Sequence, residues 1–505
     1  MEAALMVRLS QLVHALGGTC RPAPGGAADR EIVDVHIDSR RVGRGELFAA
    51  LPGQRVDGAR FVPAALERGA AAVLSPARVD VDTDGDAPNW VHPHARSVVG
   101  EAAAMVHAHP ARAQRVLGIT GTNGKTTTAY FAGTLLRHAQ LRPAVIGTVG
   151  YRLWGAEPQA ATHTTPDATE LQRLLKNNLA NGGDAFVAEV SSHALDQERV
   201  SGLELDVAVF LNLSRDHIDY HGSLDAYGEA KARIFGLLKR GGAAVVNADD
   251  AYAPRMIAAA REAGARVVTF GTGSRCDLCA SRVSFGLQGI DLFLDGMGIL
   301  KNRLHLPLVG RHNLENALAA SAATLLMGAS PSRVLEGLAT VSPPPGRLEE
   351  VDAGGRGFQV FVDYAHTPDA LEGVLASLRA GLSGGARLLV VFGCGGDRDQ
   401  GKRAPMGGIA ARLADVAVIT SDNPRSEDPA SIVDEVASGA SEVSGGRAEI
   451  LRIVERRAAI RRALELAREG DVVLIAGKGH ETWQERLGQR LPFDDRAVVR
   501  DELHP

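Results

Sequence analysis

The sequence contains few cysteines and no long hydrophobic run. Four cysteines in 505 residues are too few for a disulfide framework, so we expect reduced thiols. No apolar stretch approaches the roughly 18 residues that a membrane span requires, and we expect no membrane association. The first residues, MEAALMVRLSQLVHAL, also lack the unbroken apolar segment of a signal peptide. These absences favour a cytoplasmic protein.

A strong excess of either charge is absent as well. The chain has 55 Lys and Arg against 60 Asp and Glu, and it lacks the clusters of basic residues that nucleic-acid-binding surfaces carry. We therefore expect no nucleic-acid partner, and we infer no obligate protein partner. Cys276 and Cys279 form a CxxC pair, but no second pair of cysteines or histidines follows at zinc spacing, which argues against a structural zinc site.

The chain has an α/β pattern and is long enough for about three domains of roughly 150 residues. From Val116 onward, apolar runs such as VLGIT and AFVAEV alternate with helical stretches, which indicates βαβ units and a mainly parallel sheet. Consecutive prolines in SPPPGR, residues 342–347, interrupt any regular element. We predict three α/β domains, at residues 1–97, 98–345 and 346–505.

Polar residues follow the carboxyl end of each predicted strand in the last domain. The segments are FQVFVDYAH, RLLVVFGCGGDRD, VAVITSDNPR and VVLIAGKGHE. Open α/β sheets bind ligands outside the carboxyl ends of their strands, where the strand order reverses. The pattern predicts a Rossmann-like C-terminal domain with a ligand site formed by these segments.

The stretch GTNGKTTT, residues 121–128, has the parts of a phosphate-binding loop. It follows an apolar run and precedes a helical pattern, and its glycines allow backbone N–H groups to point at phosphate. Lys125 is predicted to contact the β and γ phosphates, and the Thr126 hydroxyl is predicted to contact Mg²⁺. The common template has glycine where this chain has Ile119, and a glycine-rich turn is the alternative interpretation. The residues predicted to bind ATP here are Gly121, Thr122, Asn123, Gly124, Lys125, Thr126 and Thr127.

Two further residues are candidates for the same site. Glu189 ends the apolar run AFVAEV, and an acidic residue at a neighbouring strand end is expected to help hold the metal. His217, in NLSRDHIDYHG, is either a ligand-binding residue at a strand end or a capping residue. The guanine-specificity element NKxD and the kinase signatures HRD and DFG are absent.

Seven motifs, in order, resemble the Mur ligase family over nearly the whole chain. They are GTNGKTTT, TTPD (164–167), EVSSH (189–193), NLSRDHIDYHG (212–222), GRHNLENALAA (310–320), PGRLE (345–349) and DYAHTPDAL (363–371). The N-terminal stretch DSRRVGRGELFAALPGQRVDG (38–58) resembles the UDP-binding domain of the tripeptide-forming branch. The resemblance implies a small UDP-binding domain, a central ATPase domain with the phosphate loop, and a C-terminal Rossmann-like domain.

The resemblance also implies the chemistry. The γ-phosphoryl group of ATP would pass to the D-glutamate carboxylate of UDP-N-acetylmuramoyl-L-alanyl-D-glutamate, and an amino group would attack the resulting acyl phosphate. ADP and phosphate would be released, in peptidoglycan precursor synthesis. A lysine in a motif like AYGEAKARIF is carbamylated in the family and helps to position Mg²⁺; here it is Lys231. Without the resemblance, Lys231 would read as a solvated helix residue.

Other implied contacts follow from the same motifs. Asn313 resembles the residue that contacts adenine, and Arg347 resembles one that reaches the nucleotide phosphates. The implied uridine contacts are Ser39, Gly53, Gln54 and Arg55, and the implied muramoyl-peptide contacts are Thr164, Thr165, Ser191, Gln197 and Arg199. From the residues alone, these Ser, Thr and Asn side chains could equally serve as caps and turn residues.

The segment DNPR, residues 422–425, resembles that of family members which add meso-diaminopimelate. This amino acid differs from lysine by a carboxylate, for which a guanidinium offers paired donors. The predicted amino-acid site comprises Arg398, Asp422, Asn423, Pro424, Arg425, Gly477 and Glu481. The alternatives are the same ligase with L-lysine, a folylpolyglutamate synthetase and, from another class, a nucleotide-dependent switch protein.

Overall fold

The computed structural model describes residues 7–21, 29–53, 56–79, 87–273 and 275–503. Contacts divide the chain into two compact units, one formed by Met1–Phe270 with Ala319–Val334 and the other by Gly271–Leu318 with Leu335–Pro505. None of the helices in the described ranges has the length and apolar character needed to cross a membrane.

The N-terminal part of the first unit combines a five-stranded sheet, a separate antiparallel pair of strands, and helices. Its elements are β1 (Val7–Arg8), α1 (Leu9–Leu16), β2 (Thr19–Arg21), β3 (Glu31–Ile32), β4 (Val35–His36), β5 (Leu47–Ala49), α2 (Val62–Glu67), β6 (Ala72–Ser75), β7 (Asn89–Val91) and α3 (Ala95–Val106). The strand order in the sheet is β2-β7-β6-β5-β4, with all neighbours parallel except β2 and β7. The separate antiparallel pair is formed by β1 and β3. Trp90 is fully buried in this core, and its indole donates to the Gly17 carbonyl oxygen at 2.8 Å.

The rest of the first unit contains the predicted parallel sheet. Its elements are β8 (Arg115–Thr120), α4 (Lys125–His138), β9 (Pro143–Gly147), β10 (Gly150–Arg152), α5 (Ala168–Ala180), β11 (Ala185–Glu189), α6 (Ser192–Asp196), β12 (Leu205–Phe210), α7 (Ile218–His221), α8 (Leu224–Ala232), β13 (Leu238–Asn247), α9 (Ala253–Glu262) and β14 (Arg266–Gly271). The order is β10-β9-β11-β8-β12-β13-β14, and only β10 is antiparallel to its neighbour. The central residues of these strands are apolar because helices cover both faces of such sheets. The strands β8 and β11 are parallel neighbours, so their carboxyl ends lie side by side.

The second unit begins with an antiparallel meander, which the sequence analysis did not predict. It is formed by β15 (Leu278–Gly286), β16 (Gly289–Gly296) and β17 (Ile299–Leu306). The expectation of reduced thiols is wrong for Cys276 and Cys279, which a disulfide joins at the start of β15, while Cys20 and Cys394 are free. The Cα atoms of the bonded pair are 5.6 Å apart, within the usual span of a disulfide.

The remainder of the second unit is a second open α/β sheet. After α10 (Arg311–Leu326) and α11 (Pro331–Leu338), which have residues in both units, come β18 (Glu349–Val351), β19 (Gln359–Asp363), α12 (Pro368–Gly381), β20 (Leu388–Phe392), α13 (Arg403–Leu413), β21 (Val416–Ile419), α14 (Pro429–Ser441), β22 (Glu449–Arg452), α15 (Arg456–Leu466), β23 (Val472–Ala476), β24 (Trp483–Arg486), β25 (Gln489–Pro492) and α16 (Asp495–Leu503). The order is β18-β19-β23-β20-β21-β22, parallel except for β18. The α/β class predicted from the sequence is thus confirmed, and the four polar strand ends lie at one edge of this sheet.

Candidate active site

The predicted phosphate loop connects β8 to α4. Gly124 immediately precedes α4 and has φ of +86°, a left-handed conformation that glycine adopts without a steric penalty. The N–H groups of the first turn of α4 have no intrahelical acceptor, and such groups bind phosphate. The Nζ atom of Lys125 donates to the carbonyl oxygens of Gly121 and Thr122 at 2.8 and 2.9 Å. The loop thus forms a cradle with its lysine folded across it.

The segment after β12 holds the phosphate loop in shape. Asn212 accepts a hydrogen bond from the Asn123 N–H at 2.9 Å through its side chain and one from the Thr122 N–H at 3.0 Å through its backbone. The Thr122 hydroxyl donates to the Ser214 carbonyl oxygen at 3.3 Å. Thr127 is buried in the first turn of α4. The motif NLSRD therefore supports the loop that precedes it in the chain by about ninety residues.

The predicted metal-binding pair, Thr126 and Glu189, is in direct contact. Glu189 is only 2% exposed, and its Oε2 atom accepts a hydrogen bond from the Thr126 hydroxyl at 2.9 Å. Its Oε1 atom accepts one from the Thr148 N–H at 2.9 Å. A Cβ atom at Gly147 would lie 1.9 Å from Glu189 Oε1, so only glycine fits beside the carboxylate. The adjacency of β8 and β11 places a hydroxyl and a carboxylate at the phosphate loop.

Lys231 lies on α8 and is 1% exposed. Its Nζ atom donates to the Gly121 carbonyl oxygen at 2.8 Å and lies 4.2 Å from the ring centroid of Tyr227. Burial, and secondly the charge of Lys125, hold the pKa of Lys231 well below its ordinary value. The solvated position suggested by the local sequence is therefore wrong, since the amine is buried against the loop. An uncharged amine of this kind is the form that reacts with CO₂.

His217 belongs to a cluster of three histidines. Its side chain is 47% exposed, its ring centroid is 4.7 Å from that of His193, and His193 is 5.5 Å from His221. Burial, followed by the charges of His217 and His221, lowers the pKa of His193 to about 4. The sequence analysis did not select His193 or Tyr227, although His193 stands in the EVSSH motif.

The residues implied to hold the UDP-linked substrate also lie in the first unit. Ser39 is buried, Gly53 is exposed, and Gln54 and Arg55 lie outside the described residues. The Thr165 hydroxyl donates to the Glu189 carbonyl oxygen at 2.9 Å, and the hydroxyls of Thr164 and Thr148 share a hydrogen bond of 3.0 Å. The Gln197 amide donates to Tyr220 Oη at 3.1 Å, and Arg199 Nη2 donates to Gln197 Oε1 at 2.6 Å. Ser191 Oγ accepts a hydrogen bond from the Ala194 N–H at 3.1 Å. Ser191 is thus a helix cap, the alternative that the sequence left open.

The two remaining predicted ATP contacts belong to the second unit. Asn313, in α10, is 2% exposed, and its amide donates to the Val309 carbonyl oxygen at 2.9 Å. The guanidinium of Arg347 lies 4.4 Å from the ring centroid of Tyr364. Burial raises the pKa of Asp363, although the charge of Arg347 opposes this shift. The Arg347 Nε atom is buried without a hydrogen-bond partner among the described residues.

The predicted amino-acid residues meet at the carboxyl ends of β20, β21 and β23. The Asn423 amide donates to Glu481 Oε2 at 2.9 Å, which joins the DNPR segment to the AGKGHE segment. Arg425 donates to the Gly396 carbonyl oxygen at 2.6 Å. A Cβ atom at Gly395 would lie 2.9 Å from Arg425 Nη1 and 3.9 Å from Arg398 Cγ, so both arginines flank this glycine. Arg425 and Arg398 thus lie beside Gly395. The carboxylate of Glu481 lies beside Asn423.

Three members of the predicted amino-acid site lie behind these side chains. Asp422 and Pro424 are buried, and the left-handed Gly477, with φ of +115°, places its Cα hydrogens toward Asp422. Between Gly477 and Glu481 stands Lys478, which is fully buried and which the sequence analysis did not select. Its position in the AGKGHE motif, between two predicted amino-acid-binding residues, is the sequence feature that could have indicated it.

Comparison with known proteins gives matches along the whole described site. Residues 31–120 match the model of the Mur ligase family catalytic domain, residues 119–324 that of the Mur ligase middle domain, and residues 346–479 that of the Mur ligase glutamate ligase domain. The predicted three-domain α/β organisation is thereby confirmed.

Curated relatives match the chain nearly end to end. The UDP-N-acetylmuramoyl-L-alanyl-D-glutamate–2,6-diaminopimelate ligase of Geobacter metallireducens is 43% identical over 94% of each chain, and that of Streptomyces coelicolor is 44% identical over 98% of this chain and 96% of its own. A solved structure of a ligase with the same name is 36% identical, covers 99% of both chains and has a TM-score of 0.71. The chain therefore belongs to the Mur ligase family.

Proposed function

We propose that the chain is an ATP-dependent ligase that adds meso-diaminopimelate to the D-glutamate of UDP-N-acetylmuramoyl-L-alanyl-D-glutamate. The observation that carries this proposal is the meeting of Thr126, Glu189 and Lys231 at the phosphate loop, in a chain of which the diaminopimelate segment is intact. The reaction would make a UDP-tripeptide precursor of peptidoglycan. We place it in the cytoplasm, where nucleotide-linked precursors are made.

ATP would bind through the phosphate cradle, and Asn313 and Arg347 are the further contacts that the family resemblance implies. The N–H groups at the start of α4 and the ammonium of Lys125 would hold the β and γ phosphates, while Asn313 and Arg347 would contact adenine and phosphate. The unpartnered Nε atom of Arg347 supports this role, because a buried donor without an acceptor is costly unless a ligand supplies one.

The residues beside the loop fit a magnesium ion. Thr126 and Glu189 offer oxygen atoms, and carbamylation of Lys231 would exchange a cation for an anion and add a third oxygen ligand. The ion would supply charge neutralisation for the transferred phosphoryl group. The chain's contribution is to hold the Thr126–Glu189 pair and Lys231 at the same loop. The ring of His217 lies 6.1 Å, between centroids, from that of Tyr227, which Lys231 contacts.

The reaction would proceed in two chemical steps. The D-glutamate carboxylate attacks the γ-phosphorus of ATP, ADP leaves, and an acyl phosphate forms. The uncharged amine of the amino acid then attacks the acyl carbon, and phosphate leaves as the amide bond forms. Because phosphoryl transfer is catalysed mainly by positioning and charge stabilisation, the protein needs only to align the reactants and keep water from the acyl phosphate.

The three segments would divide the binding of the substrates among them. Residues 1–97, through Ser39, Gly53, Gln54 and Arg55, would bind the uridine part; residues 98–345 would bind ATP and the muramoyl peptide; and residues 346–505 would bind the amino acid. The muramoyl-peptide residues of the central segment are Thr164, Thr165, Ser191, Gln197 and Arg199. All partners in this proposal are small molecules.

Arginine placement favours meso-diaminopimelate over L-lysine. Arg425 and Arg398 flank Gly395, where guanidinium donors can meet the additional carboxylate, and Glu481 can receive an ammonium. Lysine lacks this carboxylate, so the guanidinium donors of Arg425 that Gly396 and Glu485 do not engage would lose their proposed acceptor. Sites built on such pairing reject the analogue by about 10⁴-fold. Asp422, Asn423, Pro424 and Gly477 would shape the surrounding wall.

Mass spectrometry of the product tests the proposal. The purified chain would receive the UDP-dipeptide precursor, ATP, Mg²⁺ and equal amounts of meso-diaminopimelate and L-lysine. We expect the diaminopimelate product and one phosphate per amide bond. Equal amounts of the lysine product would contradict the amino-acid assignment. ATP hydrolysis without both acceptor and amine would point to a nucleotide switch, and glutamate addition to a folate would point to a folylpolyglutamate synthetase.

A further inference from the structure

The amino-acid site contains a lysine that has no assigned role. Lys478 follows β23 and is 0% exposed. Its Nζ atom donates to Glu481 Oε2 at 3.1 Å and to Asn423 Oδ1 at 3.2 Å, and it lies 3.7 Å from Asp422 Oδ1. Lysine is rarely buried in this way unless it is paired, because removing its charge from water is costly. These three partners, Glu481, Asn423 and Asp422, are predicted amino-acid-binding residues.

Lys478 determines the orientation of the Asn423 side chain. The Asn423 Oδ1 atom accepts from Lys478 and, at 2.9 Å, from the Glu485 N–H. Because two donors point at this atom, it must be the amide oxygen. The other amide atom is therefore Nδ2, which donates to Glu481 Oε2. Removal of Lys478 would leave one donor to hold this orientation.

Lys478 also determines which carboxylate atoms remain for a ligand. Both Asn423 and Lys478 donate to Oε2 of Glu481, and in the part of the chain that the structure describes no group donates to Oε1. Asp422 Oδ1 is buried and has no hydrogen-bond partner among the same residues. Two acceptor atoms are thus left at this end of the site.

The charges of the three contacting side chains, Asp422, Glu481 and Lys478, add up to one unit of negative charge. Asp422 and Glu481 contribute two negative charges, and Lys478 contributes one positive charge. The neighbouring Arg456 is neutralised by Asp495 at 2.7 Å, and Arg425 lies 3.6 Å from Glu485. An ammonium group of a ligand would be complementary in charge to these three side chains. Since the amine that attacks the acyl phosphate must be uncharged, such an ammonium would be the other amino group of the diamino acid.

We propose that Lys478 is a positioning residue which orients Asn423 and Glu481 toward the non-reacting ammonium group of the amino-acid substrate. This inference rests on the proposed function, because it concerns the amino-acid site of that reaction. It predicts that Lys478 controls the KM for the amino acid and the discrimination against analogues that lack the second amino group.

The test uses Lys478→Met in the full chain. We expect its KM for meso-diaminopimelate to rise at least about tenfold, while the KM values for ATP and the UDP-dipeptide stay within about twofold. The preference in kcat/KM for meso-diaminopimelate over 2-aminopimelate, which lacks the second amino group, should fall at least about tenfold. Lys301→Met, which changes an exposed lysine of β17, is the matched control and should leave all these values unchanged.

The outcomes separate this inference from the proposed function. If the wild-type chain does not use meso-diaminopimelate, both are overturned. If the wild-type chain uses it and Lys478→Met has an unchanged KM and an unchanged preference, or changes in all three KM values by the same factor, only the positioning role is overturned. Lys478→Gln, which keeps an amide donor, provides a second variant, and thermal melting checks folding. Failure of both variants to fold would assign Lys478 to stability and overturn the positioning role.

Discussion

Lys231 illustrates how the surroundings of one residue change its chemistry. The local sequence around it describes an ordinary polar helix, yet the amine is buried, lies against Gly121 and has a lowered pKa. Burial disfavours the ammonium form, which leaves a lone pair on nitrogen. Reaction of that nitrogen with CO₂ produces a carbamate and a proton, and the carbamate can bind a divalent cation.

We expect Lys231→Ala to lose at least about 10²-fold in kcat, since it removes one of three proposed metal ligands. Depletion of dissolved CO₂ should slow the wild-type enzyme, and added bicarbonate should restore the rate. Steady-state phosphate release measures both effects. Lys176→Ala, which removes an exposed lysine of α5, is the control and should keep the wild-type rate. A fully active Lys231→Ala enzyme would exclude the carbamate role.

Arg425 provides a second test at the residue scale. Its guanidinium is held by the Gly396 carbonyl oxygen and Glu485, which pre-orders it for a carboxylate. Arg425→Ala should lower the preference for meso-diaminopimelate over L-lysine by at least about 10²-fold, measured from the product ratio in a competition assay. Arg412→Ala, at a half-exposed arginine of α13, should leave the ratio unchanged. An unaltered ratio in Arg425→Ala would mean that another residue recognises the carboxylate.

At the scale of elements, two loops of the second unit pack so closely that only glycine fits between them. Gly346 has φ of +66°, and a Cβ atom there would lie 2.1 Å from Gly479 C and from His480 N. Arg347, the proposed phosphate contact, is the next residue, and the AGKGHE segment carries Glu481. The proline-rich segment that was expected to end a domain therefore also supports the amino-acid loop.

Gly346→Ala should lower the free energy of unfolding by about 2 kcal/mol or more, because it adds both backbone strain and a backbone collision. The KM values for ATP and the amino acid should rise together. Chemical denaturation and steady-state kinetics measure these changes. Gly355→Ala is the control: Gly355 also has positive φ, at +75°, but has no atom within 4 Å of the added Cβ. Equal losses in both variants would show that strain alone accounts for the effect.

At the scale of the whole molecule, histidines with lowered pKa values make stability depend on pH. Burial lowers the pKa of His312 to about 4. Its ordinary pKa, which the unfolded chain retains, is 6.5. Between these values the unfolded state binds more protons than the folded state, so the free energy of unfolding decreases as pH falls from 6.5 to 4. His193 and His480 have pKa values lowered to the same level and act in the same direction.

His312→Gln should remove part of this dependence. We expect the difference in unfolding free energy between wild type and variant to fall by about 1–3 kcal/mol as pH is lowered from 6.5 to 4. Calorimetry across this range measures it, with His138→Gln, a partly exposed histidine of α4, as the control. A difference that does not vary with pH would contradict the lowered pKa of His312.

The sequence alone determined the phosphate loop, the polar strand ends and the DNPR segment, because each consists of neighbouring residues with a period or a turn chemistry that can be read locally. It also determined the α/β class, since buried parallel strands are apolar throughout. Only the tertiary structure decided that Lys231 and Lys478 are buried and that Thr126 meets Glu189. These features depend on residues far apart in the chain, and no local pattern encodes which of them come into contact.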